Sequence, residues 1–315
     1  MEIRPYRGGD EGQLLQVWQR AMIHDRIDLA GFRTKVLLDP NFQVENLPVA
    51  LENDQVVGFV LAMTRRVPWY RQGLEPEKSW ITAFGVHPDF RRQGIGKALF
   101  EHVLNRLKAD GRKTVEISPY VPNYFAPGVD SDSYPGTVDF LHNVFGFKTL
   151  DGPISMGIDL THFQIPPEII ELEQRRMRED NLIISSVIGA DLPDLMPFIS
   201  ENFGWDWYRH LQEYLLEYFG DSDRQVCFLV ARLHGKVVGF CGQRRERFGP
   251  FGVDASVRNL GIGRILLFRC LAEMSARQFY YTYFMWTEEN AARLYSLAGF
   301  KKRRGFTILS KDLEK

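Results

Sequence analysis

Two stretches of this chain, VHPDFRRQGIG at 86–96 and VDASVRNLGIG at 253–263, set the same glycine pair between the same two kinds of neighbour. A hydrophobic, strand-like run precedes each stretch and a strongly amphipathic helical pattern follows it. After the first, Leu99, Phe100, Val103, Leu104 and Leu107 share one helical face; after the second, Leu266, Leu267, Cys270, Leu271 and Met274 stand at the matching positions. The echo extends outward: VVGF at 56–59 returns at 237–240, and Gly146 with Phe147 returns as Gly299 with Phe300. The chain therefore reads as one domain written twice, and 315 residues suit two domains of about 150 each. The first copy is the longer, with extra residues at 65–78 before the glycine turn and at 119–134 after it.

A break falls at Ile165, Pro166 and Pro167, followed by a charged helical stretch carrying Ile169, Ile170, Leu172 and Met177. The expected division is thus a first domain at 1–162, a linker helix at 163–180 and a second domain at 181–315. In the first domain, strands at 148–149 and 154–159 are expected to close the sheet; in the second, 306–310 takes that place. Pro250 removes one strand donor, so the strand before the second glycine turn must be irregular or lie at an edge.

Charge and composition narrow the partners. A net charge of −1 gives no broad footprint for a phosphate backbone, so nucleic acid is not expected. The longest strongly apolar run, Val56 to Met63, is far too short to span a bilayer, so no membrane role is expected. The first residues have no apolar core after their charges, which argues against a signal peptide and for a cytoplasmic location. Cys227, Cys241 and Cys270 lie in apolar surroundings without a CxxC, and read as buried reduced thiols; no metal site is expected.

The glycine turns carry the chemistry. A strand end, a basic residue and two glycines opening a helix can present bare N–H groups and a positive helix end to a phosphate. A dinucleotide fingerprint does not fit, because Leu99 and Leu266 stand where its third glycine belongs and the glycines lie well past the strand end. A P-loop does not fit either, since neither turn ends in Gly-Lys-Ser/Thr.

An R-x-x-G-x-G turn after such a strand, with a later Y-x-x-x-G-F, resembles the GCN5-related N-acetyltransferases (GNAT). The resemblance covers nearly the whole chain as a tandem of two such domains, a layout similar to that of mycothiol synthase. It implies an α/β (α+β) fold with a mixed, splayed β-sheet flanked by helices in each half. Acetyl-CoA would lie in each splay, with its pyrophosphate on the N–H groups of Gln93, Gly94, Ile95 and Gly96, or of Leu260, Gly261, Ile262 and Gly263. Arg91, Arg92 and Lys97, or Arg258, Asn259 and Arg264, would flank it. The backbone of Val86 or Val253 would pair with the pantetheine arm, and the N–H of Phe84 or Phe251 would stabilise the charge on the thioester oxygen.

The resemblance also implies that Tyr295, four residues before Gly299, is the candidate acid for the leaving thiolate, with Asn290 a further family position. The first copy has His142 and Thr137 there instead, so the second copy is expected to be the better placed for chemistry, with both copies able to bind CoA. No base stands out among Glu246, Glu288, Asp130 and Asp132. Tyr124 and Asp130 in the second insertion, and Trp205 and Trp207 in the second copy, are expected on the acceptor side. The expected activity is acetyl transfer to the amine of a small molecule by direct attack in a ternary complex, in a monomer or homodimer whose halves pack together. The alternatives are a transferase using a longer acyl-CoA and a CoA-binding sensor or scaffold without turnover.

Overall fold

The first copy opens with a strand, β1 (Glu2–Pro5), and a helix, α1 (Glu11–Ala21), whose Leu14, Leu15, Val17, Trp18 and Ala21 are buried. Asp10 fixes the entry to that helix. Its carboxylate accepts from the Arg7 N–H at 2.7 Å and takes two bonds from the Arg4 guanidinium at 2.7 and 2.8 Å. A short helix, α2 (Leu29–Phe32), runs into a π turn at Arg33–Leu37. Strands β2 (Pro48–Glu52) and β3 (Gln55–Met63) form a hairpin through Asn53 and Asp54, both at positive φ, as a two-residue turn requires. Then come β4 (Lys78–Val86), α3 (Ile95–Ala109), β5 (Thr114–Ile117), α4 (Thr137–Phe145) and β6 (Lys148–Asp151).

Strand β7 (Ile154–Asp159) ends the first copy and α5 (Pro167–Asp180) leads into the second, which repeats the plan: β8 (Leu182–Ser186), α6 (Leu192–Asn202), α7 (Trp205–Phe219), β9 (Val226–Leu233), β10 (Lys236–Arg244), β11 (Arg247–Val253), α8 (Ile262–Ala276), β12 (Tyr281–Thr287), α9 (Glu289–Leu297), β13 (Lys301–Gly305) and β14 (Ile308–Asp312). Asp191 plays the part of Asp10, accepting from the Ile188 N–H and pairing with Arg232. This computed structural model describes residues 1–220 and 225–314, with the side chains of Arg71, Glu289 and Asn290 outside the described residues.

Strand pairing departs from sequence order at one place in each copy. Among the described residues, one seven-stranded sheet runs β1-β2-β3-β4-β5-β14-β6 and the other β8-β9-β10-β11-β12-β7-β13. Both are mixed sheets: β4 runs parallel to β5, and β11 parallel to β12, while the other described pairs are antiparallel. The sixth position of each sheet is thus taken by a strand from the other copy. Ser310 of β14 pairs with Glu116 and Lys148, and Phe284 of β12 pairs with Met156 of β7. The two compact units are accordingly Met1–Pro153 with Gly305–Lys315, and Ile154–Arg304. A contiguous division at 162 and 181 does not describe them. The physical reason is that a short alternating strand shows which of its faces is apolar but not which sheet it will join.

Helices cover both faces of each sheet. In the first unit, α1 and α2 pack over Phe59, Leu61 and Trp80, while α3 and α4 pack over Val57, Val60 and Ile117 on the other face. In the second, α6 and α7 cover one face through Phe228 and Phe240, and α8 covers the other. The helix expected as a linker belongs to the second unit's core. Ile169 and Leu172 of α5 are buried against α8, and Glu173 bonds Arg269 at 2.9 Å. Cys227, Cys241 and Cys270 are buried free thiols. Among the described residues no helix is long and apolar enough to cross a membrane.

Candidate active site

Each sheet opens a gap beside its glycine turn. In the first unit β4 and β5 pair from Lys78–Thr114 to Ile81–Ile117, and then β5 ends. The His87 N–H donates to Val57 O at 2.8 Å, so the alternation of a strand turns the backbone of Gly85 and Ala83 toward β3 as well. Phe84 and Val86 consequently turn their N–H and C=O groups into the gap. Arg91 reaches back to hold Val86 O at 3.1 Å. Just below, the β3–β4 register shifts and Thr82 becomes an extra residue on β4. Its Oγ1 is buried with no hydrogen-bond partner among the described residues. This bulge carried no signal in the sequence, because threonine suits a regular strand equally well.

The turn above this gap is open. Arg92 (φ 62°) and Gly94 (φ 85°) are left-handed, and Gly94 is the N-cap of α3. A Cβ on Gly94 would meet nothing within 4 Å, and one on Gly96 would make only ordinary contacts with Val86 and Phe140. Arg91, Arg92, Gln93, Gly94 and Lys97 are exposed. The N–H groups of Ile95, Gly96 and Lys97 open the helix and have no carbonyl within it to bond. Together they present a positively polarised helix end beside an open left-handed glycine, the features an anion site needs.

The second unit builds the same parts differently. Its gap lies between β11 and β12, which pair only at Arg247–Tyr283, and Asp254 N–H to Val238 O at 2.9 Å turns the backbone of Phe251 and Val253 into it. The irregularity required by Pro250 is a bulge, with Gly249 and Pro250 standing against Gly242. Pro250 brings no N–H to it. The 3-10 turn that spans only Pro88–Phe90 in the first unit runs here over Ala255–Leu260, its N–H groups bonding carbonyls three residues back. Arg258 and Asn259 are exposed, Leu260 packs on the core, and a Cβ on Gly261 would lie 2.9 Å from the buried Leu172 of α5. Ile262 is buried, and a Cβ on Gly263 would meet Phe251, Val253 and Leu294.

Tyr295 lies on α9 among rings, 4.4 Å from Phe284 and 6.1 Å from Phe251 between centroids. Burial there pushes its phenol above the ordinary range, so it stays protonated and is a weaker acid than a free tyrosine. Its counterpart His142 is half-buried on α4 and meets the Thr149 hydroxyl at 3.2 Å, a structural contact. The Asn290 side chain lies outside the described residues.

In the part of the first unit expected to face the acceptor, the two insertions are knitted together. Arg65 is buried among the rings of Trp69, Trp80 and Tyr120, pairs with Glu75 at 2.7 Å, and donates to Val121 O. Asp130 is buried and its carboxylate accepts from the N–H groups of Asp132 and Ser133 and from the Ser133 hydroxyl, so it organises its own loop. Tyr124 is half-buried in the same insertion. A cavity of about 560 Å³ opens between this insertion and the α1–α2 connection, lined by Gln19, Asp25, Asp28, Lys35 and Phe125. The Tyr134 hydroxyl ties its wall, receiving the His24 N–H at 3.1 Å and donating to Asp25 at 2.7 Å. Asp25 and Asp28 were not singled out by sequence, since a non-periodic charged stretch between helices looks like any solvated loop. In the second unit Trp205 packs on Tyr208 and Trp207 on Phe203.

Residues 14–127 and 192–300 each match the model of the acetyltransferase (GNAT) family. The chain belongs to the GNAT acetyltransferase family. Solved structures share the whole tandem fold of this GNAT protein. The glucosamine N-acetyltransferase region of a fungal multi-domain GH3 β-N-acetylglucosaminidase superposes with a TM-score of 0.77 at 18% identity, covering 98% of this chain and 38% of that one. The present chain thus spans well under half of that relative's length. A GCN5-related N-acetyltransferase from Sphaerobacter thermophilus gives 0.67 at 17% identity over 99% and 95% of the two chains. A tandem GNAT protein of the clavulanic acid biosynthesis pathway gives 0.65 at 15% identity over 99% and 98%. Identities this low carry the fold alone. No curated protein matches the sequence of this GNAT chain.

Proposed function

We propose that this GNAT protein transfers the acetyl group of acetyl-CoA to the amine of a small molecule, with the cofactor held in the first unit. The observation that carries the choice of unit is the open cradle at 91–97, set over a gap lined by the backbone of Phe84 and Val86. Acetyl-CoA, when bound, supplies the acyl group as a thioester. The N–H groups of Gln93 to Gly96 receive the pyrophosphate, with Arg92 and Lys97 adding charge. Val86 offers its backbone to the pantetheine arm as a neighbouring strand would. The Phe84 N–H stabilises negative charge developing on the acyl oxygen, a contribution typically worth about 2.7–4 kcal/mol. Asp25 and Asp28 offer carboxylates to an incoming ammonium group, beside the Phe125 ring, over which the Lys35 ammonium sits at 5.8 Å. The fungal neighbour is named for glucosamine, an amine of the size this cavity admits and the first acceptor to assay.

The second unit is assigned a supporting role, because Leu172 stands against Gly261, the turn is wound, and Pro250 takes an N–H out of the bulge. Calorimetric titration with acetyl-CoA tests both assignments. One site is expected in the parent, lost in Gly94→Glu and kept in Gly261→Glu and the milder Arg264→Glu, with melting temperatures confirming that each variant folds. Loss of binding only in the two second-unit variants would move the cofactor there. No binding to the folded parent would sink the acetyltransferase reading.

A further inference from the structure

The proposed acceptor cavity, where Arg26 and Lys35 stand beside Asp25 and Asp28, has a neighbour lined by no carboxylate. A second cavity of about 430 Å³ lies along the other side of α1, and shares Gln19 and Arg26 with the first. Arg20, Arg26 and His87 line it together with Gln16, Gln19 and Gln55, and no carboxylate is among its lining residues. Other arginines of this unit are paired: Arg4 with Asp10, Arg33 with Glu11 and Arg65 with Glu75. Arg20 and Arg26 stand in no ion pair among the described residues. The nearest acid to His87 is Asp89, whose exposed carboxylate is 3.7 Å from Nδ1 and points to solvent. The ring also receives the Asp89 N–H at 3.3 Å. The first cavity carries Asp25, Asp28 and Lys35, the second Arg20, and Gln19 and Arg26 border both.

We infer that the acceptor is bipolar, an amine that carries a phosphate or carboxylate group, with its ammonium end at Asp25 and Asp28 and its anionic end between Arg20 and Arg26. Guanidinium groups bind either anion through paired charge-assisted bonds, and the glutamine amides add neutral donors suited to the remaining oxygens. Arg20 and Arg26 are exposed, so a plain amine leaves them hydrated and gains nothing from them. This inference rests on the first unit being the acetyl-transferring half, but the anion cavity can be read without turnover.

The test uses three probes with a six-carbon chain: 6-aminohexyl phosphate, 6-aminohexanoate and 6-aminohexanol. Binding to the full chain is measured by calorimetry, and CoA release from acetyl-CoA is followed with each. One or both anionic probes should bind at least about tenfold tighter than the alcohol, and Arg20→Gln and Arg26→Gln should each erase most of that margin. The phosphate and carboxylate arms show which anion is preferred. Equal binding of all three probes, or a preference that survives both substitutions, overturns the inference. Anion binding that depends on Arg20 and Arg26 without any CoA release would keep the cavity and refute acetyl transfer to such amines. CoA release from the alcohol alone would keep the acetyltransferase and refute the bipolar acceptor.

Discussion

Leu309 sits near the end of the second sequence copy, yet its side chain is fully buried in the first unit's core beside Leu107, Val115 and Phe147. Leu309→Ala deletes a side chain packed on all sides, a change that costs about 2–5 kcal/mol where the site cannot collapse. Strand β14 separates β5 from β6, so its loosening should be felt in both. Native-state hydrogen exchange localises the cost. At least about 2 kcal/mol of lost protection corresponds to exchange faster by roughly thirtyfold or more, if the affected amides exchange by opening of the unit. The acceleration is expected in peptides covering 78–86, 114–117 and 148–151, with 226–253 unchanged. Met156→Ala is the mirror case: Met156 is buried in the second unit's core, so residues 226–253 and 281–287 should loosen although the substitution lies before the proline break. If Leu309→Ala instead loosens 226–253 and leaves 78–117 intact, the exchange of strands is refuted and the contiguous division stands.

Three further outcomes follow from single groups. The Arg4 guanidinium and the Arg7 N–H hold the Asp10 carboxyl below the usual range, so its stabilisation is present above the unfolded value of about 3.9 and is lost as pH falls through the lower folded value. Urea melts should therefore show Asp10→Asn destabilised by about 1–3 kcal/mol at pH 7, with most of the gap gone by pH 2. His210, lowered to about 4 by burial and then by Arg247 and Arg244, resists protonation in the folded state. The unfolded chain takes up the proton first, so acidification from pH 8 to pH 5 should cost about 2 kcal/mol that His210→Phe does not lose; equal pH dependence of parent and variant would refute it. Tyr295→Phe should leave CoA affinity and acetyl transfer within about twofold of the parent, since its weakened phenol serves the second unit's gap; loss of transfer with CoA binding intact would place the chemistry there instead.

What the sequence could tell followed from periodicity and repetition. The helix faces of α3 and α8, the glycine turns and the bulge demanded by Pro250 all lie in local pattern, and local pattern is what a single sequence carries. The exchange of β7 and β14 does not. Both strands sit after an edge strand in near-identical contexts, and whether Ile154–Asp159 turns back to its own sheet depends on the path of the chain after Pro153. The same limit hid the acceptor side. Asp25 and Asp28 acquire meaning only once Tyr134, more than a hundred residues away, closes on the α1–α2 connection.

The two glycine turns show how far one motif can diverge without losing its letters. Gly-Ile-Gly is identical in both, and in each the first glycine is a left-handed helix cap. What differs is set by neighbours the motif does not contain. Gln93 is exposed where Leu260 packs half-buried on the core, and the 3-10 helix behind it is longer than the Pro88–Phe90 turn of the first unit. Helix α5 then brings Leu172 against Gly261. A glycine pair licenses close approach by something, and in the second unit a leucine of the same chain has taken the place that the first unit leaves open. Removing that leucine separates the two causes. Leu172→Ala should open the second turn without unwinding it, so a second acetyl-CoA site appearing in this variant would mean that occlusion, not backbone conformation, silences the second unit. Continued binding at one site would assign the silence to the wound turn and to Pro250.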